Sequence, residues 1–419
     1  MEKTEKRIRI GVFGYSRGKA YADQVQYLDA DLVACCDRVP RRLELARSSG
    51  TFTEDAGFYS DFDEFIQHDM DAVIIANYWH EHAPYAIKAM EAGKDVLSEC
   101  TPAATLADCV ALIRCAEKTG RKYMLGENYP HIRCIEEMRR IYQDGTLGPV
   151  AYAEGEYVHT GQHHMGNYRV SPSLSHWRKY VPATAYITHS LAPLMFITGE
   201  MPVRVNARSI YRPDFFRDTS KFNADIAAML LIETNSGAIF RVTGHAQFAP
   251  GGNNYRICGT KGGVETVHGS DFAKVRLQYN SWNLPTPGTP RIAEYEAVWD
   301  HPELADIAKE AGHGGGDFFV MYHFLRYLRE GIEPPFGVLA AVTMSATEIM
   351  AARSSRENGK CFEIPDFTKE EVRVLYENDH LCPIPDENGE ASWPACSHPE
   401  YRPTEEALAA AERSVEFDP

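Results

Sequence analysis

The fold is decided by Arg7–Asp37, which reads RIRIGVFGYSRGKAYADQVQYLDADLVACCD. Its first apolar run, Ile8–Phe13, predicts a short buried strand, and a glycine-containing turn follows at Gly14–Gly18. Lys19–Leu28 predicts a helix, and Asp31–Cys36 predicts a second strand that ends on an aspartate. The order of strand, glycine turn, helix, strand and acid is typical of a dinucleotide-binding βαβ unit.

The parts of this unit suit NAD. Gly14 and Gly18 let the backbone approach a pyrophosphate at the positive end of a helix. Asp37 lies where a carboxylate can accept hydrogen bonds from the adenosine ribose, which favours NAD over NADP, although the neighbouring Arg38 leaves room for NADP. The turn departs from G-x-G-x-x-G because Ser16 replaces the second glycine and the loop is one residue shorter. The residues of this unit predicted to bind NAD are Gly14, Ser16, Arg17, Gly18, Asp37 and Arg38.

Length and composition predict an ordinary soluble enzyme of two domains. The chain has 419 residues, of which 44% are hydrophobic and 24% charged, and roughly 100–200 residues form one domain. A net charge of −16 without a Lys/Arg block argues against nucleic acid and membranes as partners. The sequence shows no signal peptide and no apolar span of ~20 residues. Ten scattered cysteines without C-x-x-C pairs predict free thiols in a reducing cytoplasm.

The α/β alternation continues to about residue 127. Further buried strands are predicted at Asp71–Ala76, Lys94–Glu99 and Lys122–Glu127, with helices between them. Ligands of an open α/β sheet collect at the carboxyl ends of its strands. The residues there that we expect to face the cofactor or the substrate are Asn77, His80, Glu99, Cys100, Thr101, Glu127 and Asn128. The Cys100 thiol is expected to be packed rather than nucleophilic.

The rest of the chain has a different pattern. A helix at His131–Asp144 precedes five runs of alternating residues between 150 and 258, which predict a largely antiparallel sheet with one covered face. Two long helices follow, at Asp317–Glu330 and Val338–Glu357, and a short amphipathic helix is expected at Thr404–Arg413. The predicted fold class is therefore an α/β Rossmann-type domain plus an α+β domain with a large, mostly antiparallel open sheet.

Three regions follow from this pattern. They are a dinucleotide-binding Rossmann domain (1–127), an α+β domain for substrate binding and oligomerisation (128–365) and a C-terminal arm (366–419). A sheet with an uncovered face predicts a homo-oligomer, a dimer or a tetramer, because large apolar patches are seldom left bare.

With these residues in place, the chain resembles the Gfo/Idh/MocA oxidoreductases from about residue 7 to residue 360. The resemblance rests on the glycine turn, Asp71–Ala76, the stretch from Ala92 to Pro102 and the helix-then-sheet second domain. It implies an NAD(P) domain and a sheet domain whose face covers the nicotinamide. Sugar dehydrogenases of the family usually carry Glu-Lys-Pro where this chain has Glu99-Cys-Thr-Pro102. They also carry Asp-x-x-x-His, whereas Ala185 stands four residues before His189.

Other motifs resemble a subgroup, the NAD-dependent glycosidases of the α-N-acetylgalactosaminidase type. The matches are Glu127-Asn128, Tyr157, Tyr186-Ile-Thr-His189 and Gly312-His-Gly-Gly-Gly-Asp317. The His-Asp that usually follows the tyrosine strand is His159-Thr160 here. The resemblance implies His189, Tyr186, Tyr157 and Glu127 as catalytic residues. It implies His159, His313, Asp317 and, on weaker grounds, Tyr255 as ligands of the substrate.

The function predicted first is an NAD-dependent glycoside hydrolase that oxidises C3 of the sugar, eliminates the aglycone, adds water and reduces C3 again. A second hypothesis is an NAD-dependent sugar or cyclitol dehydrogenase with altered proton carriers. A third is a non-catalytic sugar or NAD(H)-binding regulator. In each case the partner is a small glycoside or sugar.

Each candidate also has a structural interpretation. Glu127 could cap the following helix, Tyr157 could pack on the sheet, His189 could be a bonded core histidine, and His313 could be solvated beside flexible glycines. Several histidines fall in the predicted second domain, and imidazole suits several divalent metals, but no metal site is predicted. They are His159, His163, His164, His176, His189, His245 and His313.

Overall fold

A computed structural model describes residues 7–159, 177–215, 223–386, 390–406 and 408–409. These residues form two compact units. The first unit comprises the described residues up to Asn128 together with Glu303–Val342, and the second comprises Tyr129–Pro302 together with the described residues from Thr343 onward. The expected domain of residues 128–365 differs from this division, because a stretch of about 40 residues within it belongs to the first unit.

The first unit is built on a parallel sheet of six strands. In chain order these strands are β1 (Ile8–Phe13), β2 (Ala30–Cys36), β3 (Phe52–Tyr59), β4 (Ala72–Ile75), β5 (Asp95–Ser98) and β6 (Tyr123–Leu125). The helices of this stretch are α1 (Tyr15–Val25), α2 (Pro40–Ser48), α3 (Phe62–Phe65), α4 (His82–Glu91) and α5 (Leu106–Thr119). The spatial order β3-β2-β1-β4-β5-β6 confirms the Rossmann-type fold, whose ligand crevice lies where the strand order reverses, beside β1 and β4.

The local signals of the sequence place most of these elements correctly. Thr105 caps α5 by accepting a hydrogen bond from the Asp108 amide at 3.0 Å, and Gly120 ends that helix with a φ of 64°. Helix α2 has no predicted counterpart, and two further elements differ from expectation. The first helix begins at Tyr15, directly after Gly14, and not at Lys19. The edge strand β3 has no predicted counterpart, because its half-exposed residues include acids and form no apolar run.

The second unit contains a nine-stranded sheet. Its strands are β7 (Val150–Val158), β8 (Pro202–Tyr211), β9 (Asp225–Thr234), β10 (Ile239–Ala246), β11 (Tyr255–Gly259), β12 (Gly262–Thr266), β13 (Lys274–Tyr279), β14 (Ile292–Glu296) and β15 (Phe362–Glu363). The order is β14-β13-β12-β11-β7-β10-β9-β8-β15. Within the described strands, β7 and β10 run parallel and the other paired neighbours run antiparallel. The mostly antiparallel sheet is therefore confirmed.

The remaining helices, in chain order, are α6 (Arg133–Gln143), α7 (Thr188–Thr198), α8 (Ala305–Glu310), α9 (Gly316–Glu330), α10 (Val338–Arg356) and α11 (Glu370–Tyr376). Helix α9 explains why the chain returns to the first unit after residue 302. Val320, Met321, Phe324 and Leu325 of this helix are buried in the same core as the apolar side chains of β1. Burial of these large side chains fixes the helix on the Rossmann sheet.

The two faces of the second sheet differ in chemistry. Along β7, Ala153, Gly155 and Tyr157 are buried while the side chains between them are partly exposed. The partly exposed side carries pairs of opposite charge, among them Arg241 with Glu154 at 3.1 Å. The predicted homo-oligomer would therefore meet a charged face and not a bare apolar patch, and it stays a prediction.

All ten cysteines are free thiols, as predicted from their spacing. Across the part of the chain that the structure describes, no helix combines the length and apolarity needed to cross a membrane. Several predictions concern residues outside the described ranges. These are Thr160, His163, His164, His176 and, within the expected C-terminal helix, residues 407 and 410–413.

Candidate functional site

Two glycines shape the turn after β1, each for a different steric reason. Gly14 has a φ of +89°, and a Cβ there would lie 2.5 Å from the backbone of Ala76, so a side chain fits neither the conformation nor the space. A Cβ on Gly18 would lie 2.6 Å from the side chain of Val12, so this glycine lets α1 pack on β1. Ser16 and Arg17 occupy the first turn of the helix. The amino end of α1 therefore has the form that receives a pyrophosphate.

The Asp37 carboxylate binds backbone amides at the amino ends of α1 and α2. Its side chain accepts a hydrogen bond from the Tyr15 amide at 2.8 Å and another from the Val39 amide at 2.9 Å, and the residue is 3% exposed. Each carboxylate oxygen can accept more than one hydrogen bond, so these contacts are compatible with a ribose diol. Together with the Gly14 turn, they fit the predicted NAD.

A buried ion-pair network connects four candidate residues through Asp317, which is 1% exposed. Arg17 donates to Glu99 and, at 2.9 Å, to Asp317, and Asn128 donates to the same Asp317 oxygen at 2.8 Å. Burial acts to raise the pKa of Asp317, but the Arg17 charge and the hydrogen bonds from His313 and Arg17 outweigh it and hold that pKa well below its usual range. Asp317 is therefore ionised and engaged by the protein itself.

His313 is the more exposed partner of this network. Its Nδ1 lies 2.8 Å from Asp317 Oδ2, and its side chain is 44% exposed. His313, Gly314 and Gly315 all have left-handed φ values, of 53°, 60° and 94°. A carboxylate at Nδ1 fixes the tautomer of a neutral imidazole and leaves Nε2 as the acceptor. The geometry suits His313 for contact with a sugar, and Asp317 is placed to hold the His313 ring. The substrate-binding roles of both residues stay predictions.

Glu127 is fully buried and accepts a hydrogen bond from the Cys100 thiol at 3.1 Å. The following helix, α6, begins after Ile132 and has no side-chain cap, so Glu127 does not serve as its N-cap. Cys100 is buried as well, in agreement with the expected packed thiol. Thr101 is buried, and its carbonyl lies 2.9 Å from Nδ1 of His82.

A second polar group lies at the ends of β2 and β4. Glu81 accepts from Asn77 at 2.9 Å and from Arg38 at 3.0 Å. Arg38 also donates to the hydroxyl of Tyr85 at 2.9 Å. Burial lowers the pKa of His80 to about 4, so this imidazole is neutral near pH 7. Asn77, His80 and Arg38 thus collect where NAD is expected, and sequence reasoning missed the role of Glu81.

The second unit groups aromatic and imidazole rings around Tyr157. The ring centroids of Tyr157 and His189 lie 4.8 Å apart, and those of Tyr157 and His159 lie 5.6 Å apart. Tyr186 lies 5.9 Å from His189. Three residues predicted as catalytic and one predicted as a substrate ligand are therefore neighbours. We call Tyr129, Tyr157, His159, Tyr186, His189 and His245 the ring cluster.

Two strand glycines bring the ring cluster together. A Cβ on Gly155 of β7 would lie 1.9 Å from the carbonyl oxygen of Ser190, and one on Gly244 of β10 would lie 2.3 Å from that of Ala183. The segment 183–190 can therefore lie directly on the sheet. Tyr255 donates its hydroxyl to the carbonyl of His189 at 2.6 Å, so the structure shows it positioning His189.

Tyr186 has a left-handed backbone with a φ of 60°. Such a conformation is uncommon for a bulky residue, and it is often found at functional sites. His189 follows three residues later in the first turn of α7. The strained backbone places the Tyr186 ring beside that of His189, which no local pattern in the sequence predicts.

Two members of the ring cluster were not predicted as site residues. Tyr129 lies 4.7 Å from His189 between ring centroids, and its hydroxyl accepts a hydrogen bond from Asn253 at 2.9 Å. His245 lies 6.2 Å from Tyr157. Strict alternation along β10 would turn His245 away from Gly244 and the cluster, but a register shift lies between Thr243 and Ala246. The one sequence feature that points to Tyr129 is its position directly after Glu127-Asn128.

Buried Lys179 is another residue that sequence reasoning missed. It lies in the short helical turn Trp177–Lys179, whose Trp177 ring stacks 6.4 Å from Tyr186. Burial lowers the pKa of Lys179 to about 8. The Lys179 amine therefore gives up its proton closer to neutral pH than an exposed lysine does.

Comparisons with protein families match three parts of the chain. Residues 8–127 match the family described as "Oxidoreductase family, NAD-binding Rossmann fold", and residues 135–265 match the "GFO/IDH/MocA C-terminal domain". Residues 214–373 match the "Glycosyl hydrolase 109, C-terminal domain".

Curated relatives agree with these matches. A glycosyl hydrolase family 109 protein of Shewanella sp. (strain W3-18-1) is 26% identical over 406 residues, which cover 86% of this chain and 85% of the relative. A protein of the same name from Stenotrophomonas maltophilia (strain K279a) is 26% identical over 413 residues, covering 87% of this chain and 89% of the relative.

Solved structures share the fold. An oxidoreductase domain protein from Kribbella flavida has a TM-score of 0.72 at 22% identity, covering 86% of this chain and all of that one. Levoglucosan dehydrogenase in complex with NADH and levoglucosan has a TM-score of 0.71 at 19% identity, with 86% and 100% coverage.

Proposed function

The chain belongs to the Gfo/Idh/MocA oxidoreductase family, and we propose that this NAD-dependent enzyme is a glycoside hydrolase. The observation that carries the proposal is the contact of Tyr157, Tyr186 and His189 in the ring cluster. The two relatives described above carry the name glycosyl hydrolase family 109. Where the family's sugar dehydrogenases usually carry Glu-Lys-Pro, this chain has Glu99-Cys-Thr-Pro102 without a lysine, and the Cys100 thiol donates to Glu127.

The proposed reaction begins with oxidation of the sugar at C3. NAD, when bound, supplies the hydride chemistry by taking the C3 hydrogen and later giving it back. The ring cluster receives the proton of the C3 hydroxyl, which leaves a ketone at C3. A ketone acidifies the hydrogen at C2, so a protein base can remove it. These proton transfers suit an imidazole, whose ordinary pKa lies near neutrality.

Elimination then breaks the glycosidic bond. As the C2 proton leaves, a C1–C2 double bond forms, the bond from C1 to the aglycone oxygen breaks, and that oxygen takes a proton. Water next adds its hydroxyl group to C1 while C2 regains a proton. Return of the hydride to C3 and a proton to its oxygen completes a hydrolysis with no net redox change. This route does not require the paired carboxylates of ordinary glycosidases.

We assign the proton transfers to named groups. His189 and Tyr186 take and return the protons at the C3 oxygen and at C2, and Tyr157 donates a hydrogen bond or carries a second proton. Glu127 protonates the departing oxygen and deprotonates the incoming water. His313 and His159 bind hydroxyl groups of the sugar. Burial of Glu127 supports its assignment, because a protonated carboxyl group is favoured away from water.

The test is a turnover assay on aryl α- and β-glycosides in heavy water with catalytic NAD. We expect aglycone release, deuterium at C2 of the released sugar and no accumulation of NADH. Accumulation of NADH with a keto sugar and no aglycone would contradict the proposal and make the enzyme a sugar dehydrogenase. Aglycone release without deuterium at C2 would also contradict it, because direct displacement leaves the C2 hydrogen in place.

A further inference from the structure

A small cavity in the first unit lies beside the expected adenosine end of NAD. Its volume is about 90 Å³, and its lining includes Phe13 at the end of β1, Arg38 after β2 and Tyr85 of α4. Arg38 directly follows Asp37, the residue predicted to bind the adenosine ribose. A 2′-phosphate, the group that distinguishes NADP from NAD, would be attached to that ribose. The charges at this cavity therefore bear on the choice between the two cofactors.

Arg38 is already engaged by a carboxylate. Its Nη2 lies 3.0 Å from Oε1 of Glu81 and 2.9 Å from the Tyr85 hydroxyl. The other Glu81 oxygen accepts from Asn77 at 2.9 Å, so both carboxylate oxygens have partners. The amide of Asn77 orients Glu81, and Glu81 in turn holds the guanidinium. A charge-assisted hydrogen bond of this kind is stronger than a neutral one.

Two other cations of the first unit, Lys88 in the cavity lining and Arg42 beside Asp37, are paired as well. Lys88 lies 2.9 Å from Oδ1 of Asp63, and Arg42 lies 3.7 Å from Oδ1 of Asp37. Asp61 adds a further carboxylate to the cavity lining. Each of these cations therefore faces a carboxylate of the protein, and a phosphate entering here would meet negative charge.

We propose that Glu81 sets the preference of this enzyme for NAD over NADP by holding Arg38, which would otherwise bind the 2′-phosphate. The sequence alone leaves this choice open, because an arginine after the ribose-binding acid is compatible with NADP. The pairing with Glu81 favours NAD, because a neutralised guanidinium attracts the 2′-phosphate of NADP weakly. The carboxylates of the same cavity also repel that phosphate. The inference concerns cofactor binding and does not depend on the sugar chemistry proposed above.

The experiment compares the dissociation constants of NADH and NADPH, measured by fluorescence titration without sugar on protein stripped of nucleotide. Glu81→Gln removes the charge and keeps the shape, so it weakens the hold on Arg38 and removes a negative charge from its surroundings. We expect NADPH to bind about tenfold more tightly to this variant, the effect of one charge-assisted hydrogen bond. NADH affinity should change much less, because NADH has no phosphate at this position.

Arg38→Ala completes a double-mutant cycle. With Glu81 present, this substitution should cost less NADPH affinity than it does in the Glu81→Gln background, because the guanidinium is already engaged. In the double variant with Glu81→Gln and Arg38→Ala, the tighter binding of NADPH caused by Glu81→Gln should disappear. Glu330→Gln is the matched control, since Glu330 pairs with Arg326 on α9 and removal of its charge tests non-specific electrostatics in the same unit.

Three results would overturn the proposal. They are an unchanged NADPH affinity in Glu81→Gln, a gain that persists in the double variant, and an equal gain in Glu330→Gln. If Glu81→Gln fails to bind NADH at all, the single Arg38→Ala variant decides. In that case a tenfold loss of NADPH affinity would show that Arg38 binds phosphate despite Glu81 and would contradict the proposal.

Discussion

The rings of Tyr157 and His189 lie 4.8 Å apart between centroids, and this contact exists because Gly155 has no side chain. The two residues are 32 positions apart in the sequence and belong to a strand and a helix. A Cβ on Gly155 would meet the carbonyl of Ser190 at 1.9 Å and push the start of α7 away from the sheet.

Removal of the imidazole should abolish most of the activity. We expect His189→Asn to lower the rate of aglycone release by about 10²- to 10⁴-fold, the usual contribution of a general acid or base. Tyr157→Phe should reduce it less, because the ring remains and only the hydroxyl is lost. The rates are measured on the best glycoside of the panel. Exposed His268 provides the control, since His268→Asn should retain the wild-type rate.

Addition of one methyl group should disturb the ring cluster. Gly155→Ala forces α7 and β7 apart, and overpacking of this kind costs about 1–3 kcal/mol of unfolding free energy. The rate should fall as well, because His189 moves with α7. Urea unfolding and the glycoside assay measure the two effects. Gly337→Ala is the control, because the nearest atom to its added Cβ lies 4.0 Å away. An equally large loss of stability and rate in Gly337→Ala would contradict the steric role of Gly155.

Loss of the charge of Asp317 should destabilise the first unit. Asp317→Asn leaves Arg17 paired with Glu99 alone, and breaking a buried ion pair costs about 3 kcal/mol. The low pKa of Asp317 means that its contribution is present above the ordinary carboxyl range and is lost as the pH falls through its folded pKa. Thermal unfolding of the two proteins should therefore differ near pH 7 and converge in strong acid. An equal difference at all pH values would contradict this assignment.

Glu136 should make stability fall as the pH rises. Burial raises the pKa of this α6 residue to about 8, while in the unfolded chain it stays near the ordinary value of about 4.3. The folded state binds the extra proton between these values, so its stability decreases with rising pH in this window. Glu136→Gln should remove the decrease and exceed the wild type by up to about 3–5 kcal/mol above pH 8.

Urea unfolding from pH 5 to pH 9 measures this difference. The matched control is Glu357→Gln, because Glu357 is exposed and pairs with Lys360 at the surface. Its difference from the wild type should be small and independent of pH. Parallel pH profiles for Glu136→Gln and the wild type would show that Glu136 ionises normally.

The candidate site could be predicted in part because its motifs are local. Short patterns in the sequence mark Glu127-Asn128, Tyr157 and Tyr186–His189. In the structure, the rings of Tyr157 and Tyr186 both lie beside the ring of His189. His245 could not be predicted, since a register shift in β10 places it beside Tyr157. Glu81 was missed because its importance comes from Arg38, which is 43 residues distant.

What the sequence by itself determined was the Rossmann sheet. The buried strands read as continuous apolar runs, and Gly14 occupies a left-handed turn conformation where a side chain would clash with the backbone of Ala76. Tertiary structure alone decided that α9 returns to that unit and that Arg17 pairs with Asp317, 300 residues away. The physical reason is that strand and turn preferences arise between neighbours in the chain, whereas buried charges and helix faces find partners only when distant segments pack together.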